Sequence, residues 1–213
     1  MLTPVSLEGR LACLEPLTPE HAAALAAAGA GDRSSYRYTW VPDGLSDAQA
    51  YVRSALDHQA TGRAMPWAVR RLRDERIVGS TRFLDLEVFT WPPPGAPGMA
   101  VGPEPSDERP PSVAEIGSSW LALDAQRTGI NAEVKLLQLT HAFEVWRVHR
   151  VTLKTDARNE ASRRAIERLG ARAEGIRRAH VPATDGTLRD SAYYSILRSE
   201  WPAVRRTLEE RLR

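Results

Sequence analysis

The sequence predicts one α/β domain, residues 1–213, built on a mixed, mostly antiparallel central sheet flanked by helices and broken by a Pro/Gly-rich insertion at 91–112. Three observations carry that prediction. Trp67 to Leu72 and Ile77 to Val88 read as strands joined by the polar turn Arg73-Asp74-Glu75-Arg76, which makes an antiparallel pair. After the insertion the pattern runs strand, helix, strand, helix and then a hairpin. The 213 residues, 42% of them hydrophobic, suit a single core of useful size.

The elements follow in chain order. Leu11 to Leu17 alternates as a first strand and takes Cys13 into the core. Thr18-Pro19-Glu20 opens a helix, with Thr18 as cap and Pro19 in the first turn, and the alanine-rich run from His21 continues it to Gly29. A second helix spans Ser46 to Gln59, and the antiparallel pair comes next. The insertion holds eight of the 15 prolines, so it supplies neither ladder donors nor a regular helix, and it reads as a flap near an acceptor site or a dimer contact. The strand Ala114 to Leu123 leads into a helix from Ala132 to Trp146. In that helix Ala132, Leu136, Leu139, Phe143 and Trp146 share one stripe, so this face packs on the sheet. A strand from Val148 to Thr155, a helix from Glu160 to Leu169, and strands Ala171 to His180 and Arg189 to Leu197 around an Asp185-Gly186 turn follow, with a closing helix from Glu200 to Leu212.

Composition narrows the function. The 29 basic and 27 acidic side chains leave a formal charge of +2, too little to draw nucleic acid or an anionic membrane, so any anion recognition is local. The Arg-rich tail from Arg198 is interleaved with Glu200, Glu209 and Glu210 and reads as a charged helix face. The lone Cys13 excludes an internal disulfide and suits a reducing compartment. Met1 to Arg10 lacks a signal-peptide pattern and no stretch reaches membrane-helix length, so a soluble, cytoplasmic protein is expected. The five histidines show no metal-ligand spacing, and no metal is assigned.

The most informative stretch is Gln126-Arg127-Thr128-Gly129-Ile130-Asn131, between a strand and a helix that opens at Ala132. A turn that brings main-chain N–H groups to an open helix start forms an anion site, because those donors lack intrahelical partners and the helix dipole favours negative charge. The alternative is a Gly129 corner with Asn131 as a helix cap. Dinucleotide and P-loop glycine spacings are both absent. A second cassette, Asn159-Glu160-Ala161-Ser162 with Ala165-Ile166 and Leu169-Gly170, follows the next strand.

Together these two cassettes resemble the GNAT acyltransferase superfamily, and the likeness is closest to its ribosomal-protein-alanine N-acetyltransferase branch. Glu115-Ile116-Gly117, Asn131 to Leu137, Asn159-x-x-Ser162, Leu169-Gly170-Ala171, Asp185-Gly186, Arg189-Asp190 and Tyr193-Tyr194-Ser195 are the matching residues. The resemblance implies a GNAT-like fold and acetyl-CoA as co-substrate. It implies that the 126–132 turn, Gln126 through Ala132, holds the diphosphate and that Asn159 meets the pantetheine arm. It also implies a primary amine as acceptor, either a protein N-terminus or a small molecule, and a homodimer is common among similar proteins. Two departures stand out: Asn131 replaces the Gly or Ala preferred there, and Ile166 replaces the tyrosine that many members use to protonate the leaving thiolate.

Acyl transfer from a thioester to an amine needs a neutral amine, a stabilised oxyanion and a protonated or solvated leaving thiolate. No protein nucleophile is required. Glu115 is the expected base, with Asp85, Glu87 and His180 as rivals. Ser162 is expected at the departing sulfur, with Tyr193 or Tyr194 as alternatives, only one of which faces outward on a regular strand. Arg127, Arg158, Arg163 and Arg164 flank the cassettes, and Arg127 or Arg163 is expected at the coenzyme's phosphates. Glu133 and Lys135 read as a surface pair. Other readings are a succinyl or other acyl donor and a non-catalytic acyl-CoA binding module.

Overall fold

Among the described residues eight strands share one sheet: β1 (Leu7–Glu8), β2 (Ala12–Pro16), β3 (Ala64–Arg71), β4 (Arg76–Glu87), β5 (Val113–Leu121), β6 (Arg150–Asp156), β7 (Arg172–Pro182) and β8 (Leu188–Leu197). The computed structural model describes residues 1–90 and 102–213, so the first half of the insertion lies outside the described residues. Sheet order is β1-β2-β3-β4-β5-β6-β8-β7. Every pairing is antiparallel except β5 with β6. The helices are α1 (His21–Gly29), α2 (Gly44–Ala60), α3 (Ile130–Thr140), α4 (Glu160–Arg168) and α5 (Trp201–Arg211).

The parallel ladder is short, and that shapes the molecule. It runs from Val113↔Arg150 to Ile116↔Leu153 and then stops. Beyond it β5 stays with β4 as far as Gly79↔Leu121, while β6 stays with β8 as far as Asp156↔Ser191. The two strands therefore part in mid-sheet. The parting starts at a bulge: Ser118 and Ser119 together oppose Thr81, between the pairs Arg82↔Gly117 and Ser80↔Trp120, and Ser118 has φ 47°. A bulge bends its strand and sharpens the local twist, which turns β5 away from β6.

Successive residues of β4 show which helices cover which face, because neighbouring side chains on a strand point to opposite sides. Ser80 accepts a hydrogen bond from Tyr51 of α2 at 3.0 Å, whereas Thr81 accepts one from Lys135 of α3 at 3.2 Å. So α2 lies on one face and α3 on the other. Tyr194 of β8 pairs with Leu153, is 1% exposed and meets Arg163 and Glu167 of α4, which puts α4 on the α3 side. The core spans the sheet. Trp67 and Phe83 meet edge to face at 5.4 Å, and Phe83 meets Trp146 at 4.8 Å.

Local chemistry explains the shifted boundaries. Gly129 adopts φ 90° and takes the N-cap position of α3, so the helix begins at Ile130 and Asn131 sits in its first turn rather than capping it. Beyond Thr140 the helix loosens into a π segment, His141–Val145. Its buried positions include Ile130, Glu133, Val134, Lys135, Gln138 and Leu139, while Ala132 and Leu136 are half-buried; the expected stripe is rotated because α3 packs against α5 as well as the sheet. Thr18 does not cap α1. Its N–H and hydroxyl instead meet His21 Nδ1, and Glu20 takes the cap position. Residues 102–111 form no helix or strand; Ser112 N–H donates to Glu87 O at the end of β4, and Asp107 accepts two hydrogen bonds from Thr3.

Candidate active site

A cleft of ≈ 660 Å³ opens where β5 and β6 part. Its walls come from both sides of the sheet. Asn131, Lys135, Ser162 and Ile166 line it from α3 and α4, while Tyr38, Trp40, Tyr51 and Arg82 line it from the α2 side. The turn between β7 and β8 adds Pro182 to Thr184 and docks on the 37–40 loop, where Thr184 Oγ1 donates to Arg37 O at 2.8 Å. Two molecules entering from opposite faces would meet at the parting.

On the α3 side, the 126–132 turn is a row of free donors. Gln126 N–H bonds back to Ala122 and Leu123, and the next main-chain N–H with an acceptor is that of Glu133, to Gly129 O at 3.1 Å. The N–H groups of Arg127, Thr128, Gly129, Ile130, Asn131 and Ala132 have no acceptor among the described residues. Arg127 at φ 61° and Gly129 at φ 90° curl this segment, and such curled main chain concentrates partial positive charge. A Cβ on Gly129 would also approach Leu11 Cδ1 to 3.1 Å.

The turn is braced from behind. Gln126 Nε2 donates to Leu121 O and Ser35 Oγ, each at 3.0 Å, and Thr128 Oγ1 donates to Ala125 O at 2.7 Å. These two side chains hold the turn's shape. Arg71, 2% exposed, ties β3 to the same region through Asp124 at 2.9 Å and Asp74 at 2.6 Å. Glu133 fixes the helix start: its carboxylate accepts from the N–H groups of Arg10, Leu11 and Ala12 at 2.7–2.8 Å. The expected Glu133–Lys135 surface pair does not form, since both are buried and each has other partners.

Lys135 is the main group missed in the sequence. It is 5% exposed, lines the cleft, and donates to Ser119 Oγ at 2.6 Å, Gln138 Oε1 at 3.1 Å and Thr81 Oγ1 at 3.2 Å. No carboxylate reaches it among the described residues. Burial pulls its pKa down to about 7.

In the second cassette Asn159 caps α4, with Oδ1 accepting from Ser162 N–H at 3.0 Å, which leaves only its amide NH₂ free; Asn159 does not itself line the cleft. Ser162 lines the cleft, and its hydroxyl has no partner among the described residues. Ile166 is buried and contributes an apolar patch to the wall. Arg163 is tied to β8. Its Nε donates to Tyr194 OH at 3.0 Å and it stays outside the cleft lining, because the buried tyrosine offers an acceptor within α4's reach. Arg158 is engaged by Asp156 at 2.7 Å and Asp185 at 2.8 Å, and Arg164 by Glu160 at 3.0 Å. Arg127 is exposed and has no ion pair among the described residues.

Glu115 is 2% exposed, on the α2 face of β5. Its Oε2 lies 2.8 Å from Lys154 Nζ, and Lys154 lines the cleft while Glu115 sits behind it. Burial pushes the Glu115 carboxyl up to about 7, against the opposing pull of the Lys154 ammonium, with Asp85 adding to the rise. A Cβ at Gly117 would press on Glu115 Oε1 at 2.9 Å, so glycine there gives the carboxylate room. Of the rivals, Asp85 is mostly exposed at 3.6 Å from Lys154, and Glu87 is exposed outside the cleft. His180 bonds Tyr193 OH at 3.2 Å and Ser191 Oγ at 3.0 Å, outside the lining, and burial and nearby cations lower its pKa. Tyr193 faces this side and Tyr194 the core.

The sequence profile of the acetyltransferase (GNAT) domain matches residues 12–172. The chain belongs to that family. YdaF of Bacillus subtilis (strain 168), whose name marks it as a candidate ribosomal N-acetyltransferase, is 36% identical over 88 residues, covering 41% of this chain and 47% of YdaF. The match therefore spans about half the length of that curated relative. Among solved structures, a GCN5-related N-acetyltransferase from Brucella melitensis superposes with TM-score 0.80 at 25% identity, covering 98% of this chain and 85% of that one. Mycobacterium smegmatis RimJ, solved in complex with CoA-disulfide, gives TM-score 0.74 at 20% identity over 99% and 96% of the two chains, a likeness of fold. The mixed, mostly antiparallel eight-stranded sheet with five helices is the GNAT fold. No helix among the described residues is long and apolar enough to cross a membrane.

Proposed function

We propose that the protein is an acetyl-CoA-dependent N-acetyltransferase that passes the acetyl group to a primary amine by direct attack, with both substrates bound at once. The observation that carries this reading is the row of N–H groups at 127–132 without an acceptor among the described residues, whose Asn131 lines the cleft that opens where the sheet parts. The donors suit a diphosphate. Their chemistry fits no neutral ligand as well, and Asn131 and Ser162 both line the same cleft.

The amine would enter from the α2 side, lose its proton by way of a water to Glu115 behind Lys154, and attack the acyl carbon at the parting. As the new C–N bond forms the C–S bond breaks; the attacking nitrogen gives up its second proton, by way of water, to the departing sulfur, which leaves as the free thiol with the Ser162 hydroxyl hydrogen-bonded to it. The bulge at Ser118-Ser119 turns main chain toward the parting, where it supports the oxyanion. The name of YdaF supports a protein N-terminal amine, such as that of a ribosomal protein, as acceptor. A cytoplasmic site of action goes with the reading, given the lone buried thiol of Cys13.

Release of free thiol from acetyl-CoA, followed with a panel of N-terminal peptides and small amines, tests this directly. Turnover with at least one primary amine is expected. Tight binding of coenzyme A without thiol release from any acceptor would instead identify a binding module.

A further inference from the structure

The α2 side of the cleft carries guanidinium groups with no carboxylate at hydrogen-bond or ion-pair distance among the described residues. Arg82 is 6% exposed, stacks 4.5 Å above the Tyr51 ring, and has no hydrogen-bond or ion-pair acceptor among the described residues; its buried Nε is unpartnered. Arg189 likewise has a buried, unpartnered Nε and no ion pair among the described residues. Both line the cleft. Arg82 pairs across to Gly117 at the β5 edge of the parting, and Arg189 lies two residues from Ser191, which pairs with Asp156 at the end of β6. The two arginines therefore stand on either side of the opening.

The charge balance of the lining is lopsided. Three cations on this side, Arg82, Lys154 and Arg189, face one lining acid, Asp156, which is already held by Arg158 through three bonds of 2.7–3.0 Å. Lys154 has Glu115. A buried guanidinium without a partner is costly, and a fold keeps one where a ligand completes it. Coenzyme A's phosphates are a poor candidate for that ligand, because their donors sit at the α3 turn on the opposite face of the sheet. The planar fork of arginine matches a carboxylate. The Trp40 and Tyr51 rings, stacked at 5.7 Å, wall the same pocket and orient Arg82.

We infer that the amine acceptor carries a carboxylate, gripped between Arg82 and Arg189 on the α2 side of the cleft. This rests on the acetyltransferase reading and specifies its acceptor. The carboxylate can be the acceptor's own α-carboxylate, as in a free amino acid, or an acidic side chain close to a peptide N-terminus.

Matched acceptors separate these sources in the thiol-release assay with acetyl-CoA. One arm compares glycine with glycinamide. The other compares C-terminally amidated peptides beginning Ala-Asp or Ala-Glu with those beginning Ala-Asn or Ala-Gln. In one arm the acid is expected to exceed its neutral partner in kcat/KM by about tenfold or more, mainly through KM, as charge-assisted hydrogen bonds imply. Arg189→Gln and Arg82→Gln should bring that ratio toward one, and Arg82→Lys should restore part of it; Arg189, being less buried, serves if Arg82→Gln fails to fold. Equal turnover of acid and amide in both arms, or an unchanged ratio in Arg189→Gln, overturns the inference and leaves the acetyltransferase reading standing. No thiol release with any acceptor overturns that reading and the inference with it.

Discussion

Replacing Lys135 with Met should make the protein more stable at slightly acid pH and remove a pH dependence that the wild type carries. Native Lys135 has a pKa of about 7, lowered by burial, against an ordinary value of 10.5 in the unfolded chain. Between those values the unfolded state holds a proton that the native state lacks, so stability rises with pH, by about 1.4 kcal/mol per unit. Below pH 7 both states are charged and the native one bears the whole penalty, about 5 kcal/mol; above 10.5 the penalty is gone. The variant loses three donated hydrogen bonds, yet Thr81 still bonds Ser119 at 2.6 Å and Gln138 at 3.2 Å, which limits that loss to about 1–2 kcal/mol. Lys135→Met should therefore gain about 3 kcal/mol at pH 6, with the advantage fading by about pH 9. Urea denaturation at fixed ionic strength from pH 6 to 9.5, with m-values compared, reads both quantities. Parallel stability–pH curves for the two proteins would refute the burial argument.

Three further outcomes follow from the site. Thiol release by the wild type should climb through pH about 7 and level off as Glu115 ionises, and Glu115→Gln should lose that limb along with about 10²–10⁴ in rate; an unchanged profile removes Glu115 as base. Gly129→Ala should cost about 1–2 kcal/mol, since alanine strains at φ 90°, and should weaken acetyl-CoA binding by calorimetry; wild-type affinity would mean that the turn does not hold the diphosphate. Ser162→Ala should leave stability within about 0.5 kcal/mol, the hydroxyl having no partner, while slowing thiol release; equal rates would take Ser162 out of the mechanism.

What the sequence shows of this molecule is what depends on near neighbours. The β3–β4 hairpin was legible because a polar turn separates two runs of period two, and the 126–131 turn because a glycine stands between a strand and a helix. The first turn of α3 was misplaced by two residues, since only the positive φ of Gly129 reveals it as the cap. Glu133 looked like a surface acid because its partners, the N–H groups of Arg10 to Ala12, are more than a hundred residues away. Lys135 looked like a surface base because the hydroxyls that hold it belong to β4 and β5. Arg163 occupies a plausible phosphate position in the sequence, but the buried Tyr194 hydroxyl claims it. Arg82 carried no signal, since an arginine in a strand ordinarily faces solvent.

Lys154 links the acid–base chemistry to the charge of the cleft. While Glu115 is ionised, the pair at 2.8 Å is neutral overall; on the proposed mechanism, once Glu115 takes the amine's proton, Lys154 would keep only the mostly exposed Asp85 at 3.6 Å as counter-charge and would oppose return of a proton to the amine. The same ammonium moderates Glu115, because its hydrogen bond and charge pull the carboxyl down while burial pushes it up. Removing it must therefore shift the carboxyl further upward. Lys154→Met should move the rising limb of thiol release from about pH 7 to a more alkaline position, and Lys154→Arg, which keeps the charge, should hold it near the wild-type value. A limb that stays in place in Lys154→Met, or moves toward acid pH, would mean that the group titrating in turnover is not the carboxylate behind Lys154.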